Sequence, residues 1–479
     1  MKTIAAPAAA LALCILAPAN GLAGEENAVR EIGSRRELFV DRWLIDKLEG
    51  ARLRLHHPVS REVVLRFDEP WEGRFSGYIT VLRDGETYRM YYRGWPAVKG
   101  SQAVTCTAHS PDGVRWTKPR LGLFEVAGTR ENNVVLAGAG SVTHNFCPFL
   151  DTRPGVPASQ RFKAVGGTHK DGLSAYASAN GVHWRRLQDE PVFTQGAFDS
   201  QNLAFWSPAE GRYCLYFRVF VGGVRSIART TSDDFLHWSK PQHMDFGDAP
   251  REHLYTNQTQ PYFRAPHIYI ATPARFFPGR RVLSDQEARA AGVAPRYAGD
   301  CSDNVLMSSR GGNRYDRTFL EAFIRPGMGA SNWASRCNYP ALGIVPTGPA
   351  EMSIYVHRHY AQPTAHVQRC TLRPDGFVSV HAPYEGGQML TRPLVFEGKA
   401  LELNVATSAA GSVRVEVQDQ AGKPLPGYAL PDAEPIIGDE LDRLASWKGA
   451  GSDLGTLAGR PVRLRFVMRD ADLYAIRFR

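Results

Sequence analysis

Short apolar stretches with polar residues at alternate positions recur along this chain, and turn residues separate them. The clearest copy runs from Phe198 to Trp238 and contains an apolar strand ending at Trp206, a Pro/Gly turn, an aromatic-rich strand and a third strand at 225–231. Alternation at period two between Gly, Pro and Asp turns predicts antiparallel strands. We therefore expect three or four short strands in each copy.

Each copy closes on a hydroxyl residue followed six positions later by an aromatic residue. The closing pairs are Ser110–Trp116, Ser178–Trp184, Ser232–Trp238, Ser309–Tyr315 and, more loosely, Thr371–Phe377. Five units with a period of roughly 55 to 75 residues match repeated four-stranded blades. The pattern thus predicts an all-β fold with a five-bladed β-propeller, in which the closing aromatic residues pack between blades beneath tight turns.

The predicted propeller covers residues 35–381. Its first strand, Leu38–Asp46, is expected to complete the last blade and close the ring. From residue 382 to 479 the strands become longer and lose the closing pair, which predicts a small C-terminal β-sandwich with a packing role.

Residues 1–23 predict a secretory signal peptide. They contain one lysine, a short apolar run broken by prolines, and a small-residue end at Gly21-Leu22-Ala23. No later stretch approaches the roughly 20 consecutive apolar residues of a membrane helix. The expected location is therefore periplasmic or extracellular, with no membrane partner.

The charge and the cysteine content limit the kinds of binding partner, metal and cofactor that the chain is expected to have. The chain has 57 Lys and Arg against 48 Asp and Glu, a formal net charge of +9, and these charges are scattered. We therefore expect no nucleic-acid partner, whereas acidic glycans stay open as ligands. The six cysteines after the signal peptide show neither CxxC pairs nor metal-ligand spacing with histidine, and no loop has calcium-binding spacing. We predict buried free thiols, no cofactor and no metal-binding residues, while a structural metal held by Asp and Glu oxygens in the channel stays open as a third possibility.

The geometry of a propeller predicts where a site would lie. The loops that enter the first and third strand of every blade open onto one face, so polar residues at these entrances should converge on a central funnel. The candidate catalytic carboxylates at such positions are Asp199, Glu252, Asp303 and Glu321. The candidate ligand-binding residues are Trp71, Glu72, Arg74, His144, Asn145, Gln201, Tyr255, Asn257, Trp333 and Arg336.

The longest connection between strands runs from about Phe277 to Cys301. It contains a short helical piece at Ser284–Ala291. Long ordered loops are commonly lids or specificity walls, so we expect this insertion to lie over the funnel.

These residue types point to carbohydrate chemistry. Glycoside hydrolysis needs two carboxyl groups facing a sugar, while aromatic rings stack on it and polar side chains bind its hydroxyls. The chain has no nucleotide loop, Gly-x-Ser-x-Gly elbow or His-Glu-x-x-His motif. We predict a secreted glycoside hydrolase acting on an oligo- or polysaccharide, with Asp199 as base or nucleophile, Glu252 or Glu321 as acid and Asp303 tuning a pKa or orienting the sugar.

Other functions stay open at this point. The same acids and aromatic residues could only hold a glycan, as in a non-catalytic binding propeller, and a lyase or sialidase-like reaction fits the scaffold as well. Sugar, linkage, stereochemical outcome and oligomeric state do not follow from the sequence.

Three segments carry a resemblance to a known group. They are LFVDRWLID at 38–46, the turn at Ser110–Trp116, and EAFIRPG at 321–327. With the export signal, the five repeats and the terminal β-region, the chain resembles the propeller glycoside hydrolases of families 32 and 43. The resemblance implies carbohydrate chemistry and an inner-strand carboxylate at Asp199. The Trp-Met-Asn-Asp-Pro, Arg-Asp-Pro and Glu-Cys motifs of family 32 have no counterpart here.

Overall fold

The computed structural model describes residues 28–96 and 100–479, and these residues are nearly all β. The predicted signal peptide, residues 1–23, lies outside the described residues. No helix in the described ranges is long and apolar enough to cross a membrane. The all-β class is confirmed. The helical elements are α1 (Asp285–Ala290) and the 3-10 helices Gly140–His144, Ala158–Gln160, Pro295–Tyr297, Ala330–Trp333 and Gly455–Leu457.

Four N-terminal strands precede the repeats, and a fifth leads into them. They are β1 (Arg30–Gly33), β2 (Glu37–Leu38), β3 (Ile45–Glu49), β4 (Arg52–Leu55) and β5 (Val59–Arg66).

The first three repeats each form a meander of four antiparallel strands, as their alternating patterns predict. Unit one contains β6 (Gly77–Asp84), β7 (Thr87–Gly94), β8 (Val104–Ser110) and β9 (Val134–Leu136). Unit two contains β10 (Cys147–Leu150), β11 (Phe162–Gly166), β12 (Ser174–Ser178) and β13 (Arg185–Arg186). Unit three contains β14 (Leu203–Ser207), β15 (Arg212–Val221), β16 (Val224–Ser232) and β17 (Gln242–His243).

Unit four is split into two three-stranded sheets. One sheet consists of β19, β20 and β23, and the other of β18, β21 and β22, whose last two strands flank the long insertion. The strands are β18 (His253–Leu254), β19 (Gln260–Tyr262), β20 (Ala265–Ala271), β21 (Ala274–Phe277), β22 (Cys301–Asn304) and β23 (Met307–Ser309).

Unit five contains three strands of its own and a fourth from the N-terminus. Its strands are β24 (Tyr339–Gly348), β25 (Glu351–Arg358) and β26 (His366–Leu372). The N-terminal β5 pairs with β26 along its length. The strand that completes this unit is therefore Val59–Arg66. The prediction that Leu38–Asp46 does so is wrong, because the strands of that segment pair with the C-terminal sheet.

The C-terminal strands and β1–β4 form one ten-stranded sheet. The two longest strands pair with each other, and their register shifts between Thr407 and Ser412. The sheet closes over a core that includes Phe39, Trp447 and Phe466. The predicted boundaries at 35 and 381 stay a prediction. The C-terminal strands are β27 (Val378–Ala382), β28 (Gly387–Thr391), β29 (Leu394–Phe396), β30 (Leu401–Asp419), β31 (Asp439–Leu444) and β32 (Val462–Phe478).

The closing serines of units one to three build similar turns. In unit one, the Ser110 hydroxyl accepts hydrogen bonds from the backbone N–H groups of Asp112 and Gly113, at 3.2 and 2.8 Å. Asp112 then accepts from two following N–H groups, and Trp116 donates its indole N–H to the Gly113 carbonyl. Serine and aspartate can supply these local bonds, which explains their place in the repeat.

The closing aromatic residues pack against the neighbouring unit, as predicted. Trp184 meets Tyr91 of unit one edge-on, with ring centroids 6.1 Å apart, and Trp116 meets Tyr355 of unit five at 5.7 Å. The remaining neighbours touch through three further ring pairs, which are Phe149–Phe235, Tyr216–Tyr315 and Tyr262–Phe377. Each unit thus contacts the next, and the first contacts the last.

The six cysteines in the described ranges are all buried and free, which confirms the prediction of free thiols.

A buried ion cluster joins the N-terminus to the C-terminal sheet. The Arg36 guanidinium lies 2.7 Å from Glu402, 2.8 Å from Asp442 and 3.4 Å from Asp375. The side chains of Arg36, Glu402 and Asp375 are 4%, 3% and 0% exposed. Asp375 also accepts a hydrogen bond from the Tyr262 hydroxyl of unit four. The cluster therefore links three parts of the chain.

Substituting Arg36→Met should destabilise the protein by about 3 kcal/mol, because it leaves buried carboxylates without their cation. This value is the lower end of the range for a broken buried pair, since Arg264 and Arg479 still face Asp375 and Glu402. The urea unfolding midpoint of the full chain measures the loss.

The matched control is Arg35→Met. Arg35 is the adjacent arginine, its side chain is 48% exposed, and its nearest carboxylate oxygen is 4.0 Å away. This change should cost less than about 1 kcal/mol. Equal losses in the two variants would contradict a structural role for the buried cluster.

Candidate functional site

One cavity gathers side chains from units one, two, three and five and from the split unit four. Its volume is about 650 Å³. Aromatic rings, three arginines, two histidines and a single carboxylate line it. The lining side chains include Tyr78, Arg93, Trp95, His144, Asp199, Tyr255, Arg296, Tyr297, Arg336, Tyr339, His357 and Tyr360.

Asp199 and His144 form the polar centre of this cavity. The Nε2 atom of His144 lies 2.9 Å from the Asp199 Oδ1 atom. Asp199 precedes β14, and His144 ends a 3-10 helix before β10, so both lie where the chain enters an inner strand. The side chain of Asp199 is 55% exposed, which leaves its carboxylate accessible to a ligand.

Asp199 fixes the hydrogen position on His144. An ionised carboxylate can only accept a hydrogen bond, so the ring hydrogen of neutral His144 belongs on Nε2, where it points at Asp199. The Nη1 atom of Arg93 lies 3.3 Å from both ring nitrogens of His144, so this guanidinium packs against the imidazole. The Arg93 guanidinium also stacks on Tyr78 and Trp95, at 4.7 and 5.2 Å from their ring centroids.

Opposing effects act on the protonation of both residues. Partial burial raises the pKa of Asp199, but the hydrogen bond from His144 and the positive charges of Arg218 and Arg336 outweigh it, so the pKa lies below its usual range. Burial, together with the charges of Arg93 and Arg218, lowers the pKa of His144 despite Asp199. At neutral pH the pair is an aspartate anion and a neutral imidazole.

Three guanidinium groups surround the ring of Tyr255. The Cζ atoms of Arg218, Arg225 and Arg336 lie 5.0, 5.1 and 5.0 Å from its centroid. Such cation–π contacts let arginines pack together beside an aromatic face. The closest carboxylate to this group is Asp199, whose oxygen is 4.0 Å from Arg218.

Backbone strain is concentrated at this cavity. Tyr78, Ser335 and Ala361 have φ angles of 50°, 42° and 65°, in the left-handed region that residues with a side chain seldom occupy. Tyr78 lines the cavity, and the other two precede Arg336 and follow Tyr360. Strain of this kind persists where the surrounding structure enforces it, and it is frequent at functional sites.

The long insertion contributes one wall, in agreement with its predicted position. Its helix α1 begins with a capping box between Ser284 and Glu287. The 3-10 helix that follows brings Tyr297 to the cavity, where its ring lies 5.5 Å from the rings of both Phe75 and Tyr360.

Four of the predicted site residues line the cavity, and three others are buried outside its lining. Asp199, His144, Tyr255 and Arg336 are in the lining. The side chains of the other three bond to the protein itself. Asn145 donates to the carbonyls of Gly167, Phe198 and Ser200, Gln201 donates to Ile79, and Asn257 accepts from the Thr259 N–H group.

The other predicted carboxylates do not line this cavity. Glu252 accepts from Arg275 and Arg317, at 3.0 and 2.6 Å, and Asp303 pairs with Arg275 at 2.7 Å. Glu252 lines a separate cavity. Glu321 is exposed, and its side chain has no hydrogen-bond or ion-pair partner among the described residues.

The predicted aromatic platforms outside the cavity differ in exposure. Trp71 is only 2% exposed, and its indole N–H bonds to Asn133. No face of this ring is open to a sugar, so Trp71 packs in the core instead of forming the predicted platform. Trp333 is 36% exposed and donates to the Gly327 carbonyl.

The two predicted charged residues near Trp71, Glu72 and Arg74, occupy different environments. Glu72 is buried and accepts from the Tyr92 hydroxyl at 2.6 Å and from Lys118 at 2.7 Å, so it holds unit one together and does not reach the cavity. Arg74 is exposed, and its guanidinium lies 5.8 Å from the ring centroid of Phe75, which lines the cavity.

The sequence interpretation missed several cavity residues. Arg93 and His357 lie at the ends of second strands, and they pair with Gly77 and Tyr339 at the starts of first strands. Because adjacent antiparallel strands run in opposite directions, the end of a second strand and the start of a first strand share one edge. The Arg or His that ends the aromatic-rich strands in TYRMYYRG and MSIYVHRHY was therefore the signal.

No grouping of three or more His, Cys, Asp or Glu side chains suited to a metal ion occurs in the described ranges.

Comparisons with known proteins give similarities of overall structure only. No family model and no curated protein matches the chain. A solved structure named "Glycoside hydrolase" shares 10% identity, covering 67% of this chain and 93% of its own, with a TM-score of 0.46. An N-acetylgalactosamine deacetylase from F. plautii, in complex with blood group B trisaccharide, shares 12% identity over 68% and 96%, with a TM-score of 0.43. A glycosyl hydrolase from Bacteroides ovatus shares 12% identity over 67% and 94%, with a TM-score of 0.42.

Substituting His144→Ala should raise the pKa of Asp199, because it removes the hydrogen bond that opposes the effect of burial. An NMR titration of 13C-labelled aspartate carboxyls measures this shift. His144→Gln keeps an N–H donor and should produce a smaller increase. An unchanged Asp199 titration in His144→Ala would contradict the proposed coupling.

Proposed function

We propose that this protein is an exported, glycan-active hydrolase that cleaves a glycosidic bond of a sugar bound in the cavity, with Asp199 as its reactive carboxylate. The observation that carries the proposal is the pairing of Asp199 with His144 at 2.9 Å in an aromatic-lined cavity. A glycosidase base or nucleophile must be anionic at the working pH and accessible to the sugar. The lowered pKa and the exposure of Asp199 meet both requirements.

His144 is a positioning residue in this proposal. Its Nε2–H group holds the carboxylate in one orientation, and the Arg93 guanidinium packs against the imidazole ring. Trp95 and the tyrosines of the cavity offer ring faces and hydroxyl groups to the sugar.

The proton donor to the leaving group has two candidates. Both oxygens of Glu252 contact arginines, whereas the Glu321 carboxyl group has no ion-pair partner among the described residues. Glu321 is therefore the carboxyl group that is free to exchange a proton, but neither candidate lines the cavity, so the acid must act on a sugar that extends beyond the cavity. The Arg275 ion pair of Asp303 suits a supporting role.

The proposed scaffold is a closed five-bladed propeller followed by a β-sandwich. The contacts that run from each unit to the next, and from the last to the first, are those that a closed ring requires.

A non-catalytic glycan-binding protein is the second candidate. The observation that favours it is the single carboxylate in the cavity lining, since hydrolysis of a glycosidic bond normally uses two.

Substituting Asp199→Asn should lower kcat by about 10²- to 10⁴-fold on any glycan that the wild-type protein hydrolyses, because the amide cannot act as a base or nucleophile. Release of reducing sugar from a broad glycan panel measures the effect, and Glu252→Gln and Glu321→Gln identify the acid.

Asp248→Asn is the matched control for this experiment. Asp248 is an exposed aspartate outside the cavity lining, so its variant should keep wild-type turnover. Glycan binding without turnover, in the wild type as well as in Asp199→Asn, would reject the hydrolase in favour of the binding protein.

A further inference from the structure

The cavity carries more positive than negative charge. Its lining contains three arginines, Arg93, Arg296 and Arg336, and one carboxylate, Asp199. Arg218 lies directly behind it with a side chain only 6% exposed. Arginine stays protonated in proteins, so a neutral ligand would leave this excess charge without a counter-ion.

Arg336 is a half-buried cavity arginine without a polar partner among the described residues, whereas Arg296, which also makes no hydrogen bond or ion pair there, is exposed. Arg336 stacks on Tyr255, Tyr297 and Tyr360, at 5.0, 5.1 and 5.7 Å from their ring centroids. Its guanidinium makes no hydrogen bond or ion pair within the described residues, and its Nε atom is buried without a partner. Arg93, by contrast, donates to the Phe75 carbonyl at 2.6 Å. The guanidinium N–H groups of Arg336 are therefore available to donate hydrogen bonds to a ligand.

Two further polar atoms in the same wall also lack partners. The Tyr339 hydroxyl and the His357 Nε2 atom are buried without a hydrogen bond, and the two residues are 6% and 3% exposed. Burial lowers the pKa of His357 to about 3, so its ring is neutral at physiological pH. A buried polar group without a hydrogen-bond partner destabilises the folded protein, and a ligand that bonds to these two atoms would offset that cost.

The neighbouring rings suit a sugar in the same space. Tyr78, Trp95 and Tyr297 line the cavity beside these polar groups, and flat aromatic faces pack well against the C–H face of a pyranose. A planar guanidinium binds a carboxylate through two parallel hydrogen bonds. An aromatic wall next to an unpaired arginine matches a ring that bears an oxyanion.

We infer that the cavity binds an anionic sugar, one whose ring carries an oxyanion group such as the carboxylate of a uronic acid, and that Arg336 pairs with this group. The inference names the substrate class of the proposed site and in that respect rests on the proposed function. Binding can nevertheless be measured without turnover, so the two can fail separately.

Isothermal titration calorimetry of the full chain tests the inference. The probes are glucuronate, galacturonate and a sulfated galactose, each beside its neutral sugar, and inorganic phosphate alone. At least one anionic sugar should bind about tenfold or more tightly than its neutral counterpart. Arg336→Met should weaken that binding about 10- to 100-fold, because it removes a charge-assisted bidentate contact.

Two further arginine variants serve as controls. Arg280→Met removes an exposed arginine that stacks on Phe277 outside the cavity lining, and it should bind like the wild type. Arg336→Lys keeps the positive charge but loses the planar guanidinium that forms two parallel hydrogen bonds, so it should give an intermediate affinity. This variant also tests the inference if the methionine variant fails to fold.

Each alternative outcome has a definite meaning. Equal affinity for anionic and neutral sugars, no binding of any anionic probe, or equal losses in Arg336→Met and Arg280→Met would overturn the inference. Phosphate bound as tightly as the anionic sugars would show a site for a free oxyanion and reject the sugar. Anionic binding that persists in Asp199→Asn without turnover in the wild type would reject the hydrolase alone.

Discussion

The excess of guanidinium groups over carboxylates around Tyr255 is the constraint on which the site depends. Arg218, Arg225 and Arg336 crowd one ring, and like charges at such distances repel unless aromatic faces and an anion offset them. Asp199 is the nearby anion, and its carboxylate is held in that state by His144 and by the same positive charges. The positive charge of the arginines therefore keeps Asp199 ionised, which is the state that its proposed reactivity requires.

The strand pattern allowed the class and the repeats to be predicted, but not every pairing. Alternation fixes which residues form strands and which faces are buried, since the period of two is local. It does not fix the partner strand. Leu38–Asp46 has the alternation of a blade strand, yet it pairs with β28 and β32 of the C-terminal sheet. Partner choice depends on packing between residues hundreds of positions apart, which one sequence does not display.

The site was predictable where chain topology alone decides the position of a residue. Asp199 and His144 precede inner strands, and both line the cavity. Glu252 and Asp303 had equally suitable positions, but their partner Arg275 comes from β21 and turns them into an ion-pair network. Trp71 reads as an exposed aromatic among charges and is instead buried against Asn133. Which neighbour a side chain bonds to depends on the folded structure, because the partner comes from a distant part of the sequence.

The pairing of the two chain ends has a consequence for biosynthesis. Val59–Arg66 completes unit five by pairing with β26, and Asp46 pairs with Arg463, 417 positions away. The sheet of unit five needs β26 and the C-terminal sheet needs β32 before either is complete, and contacts of such long sequence separation form slowly. During that time the early strands have unpaired edges, which are prone to aggregation. The order of synthesis thus leaves β3 and β5 without their partner strands until β26 and β28 have been made.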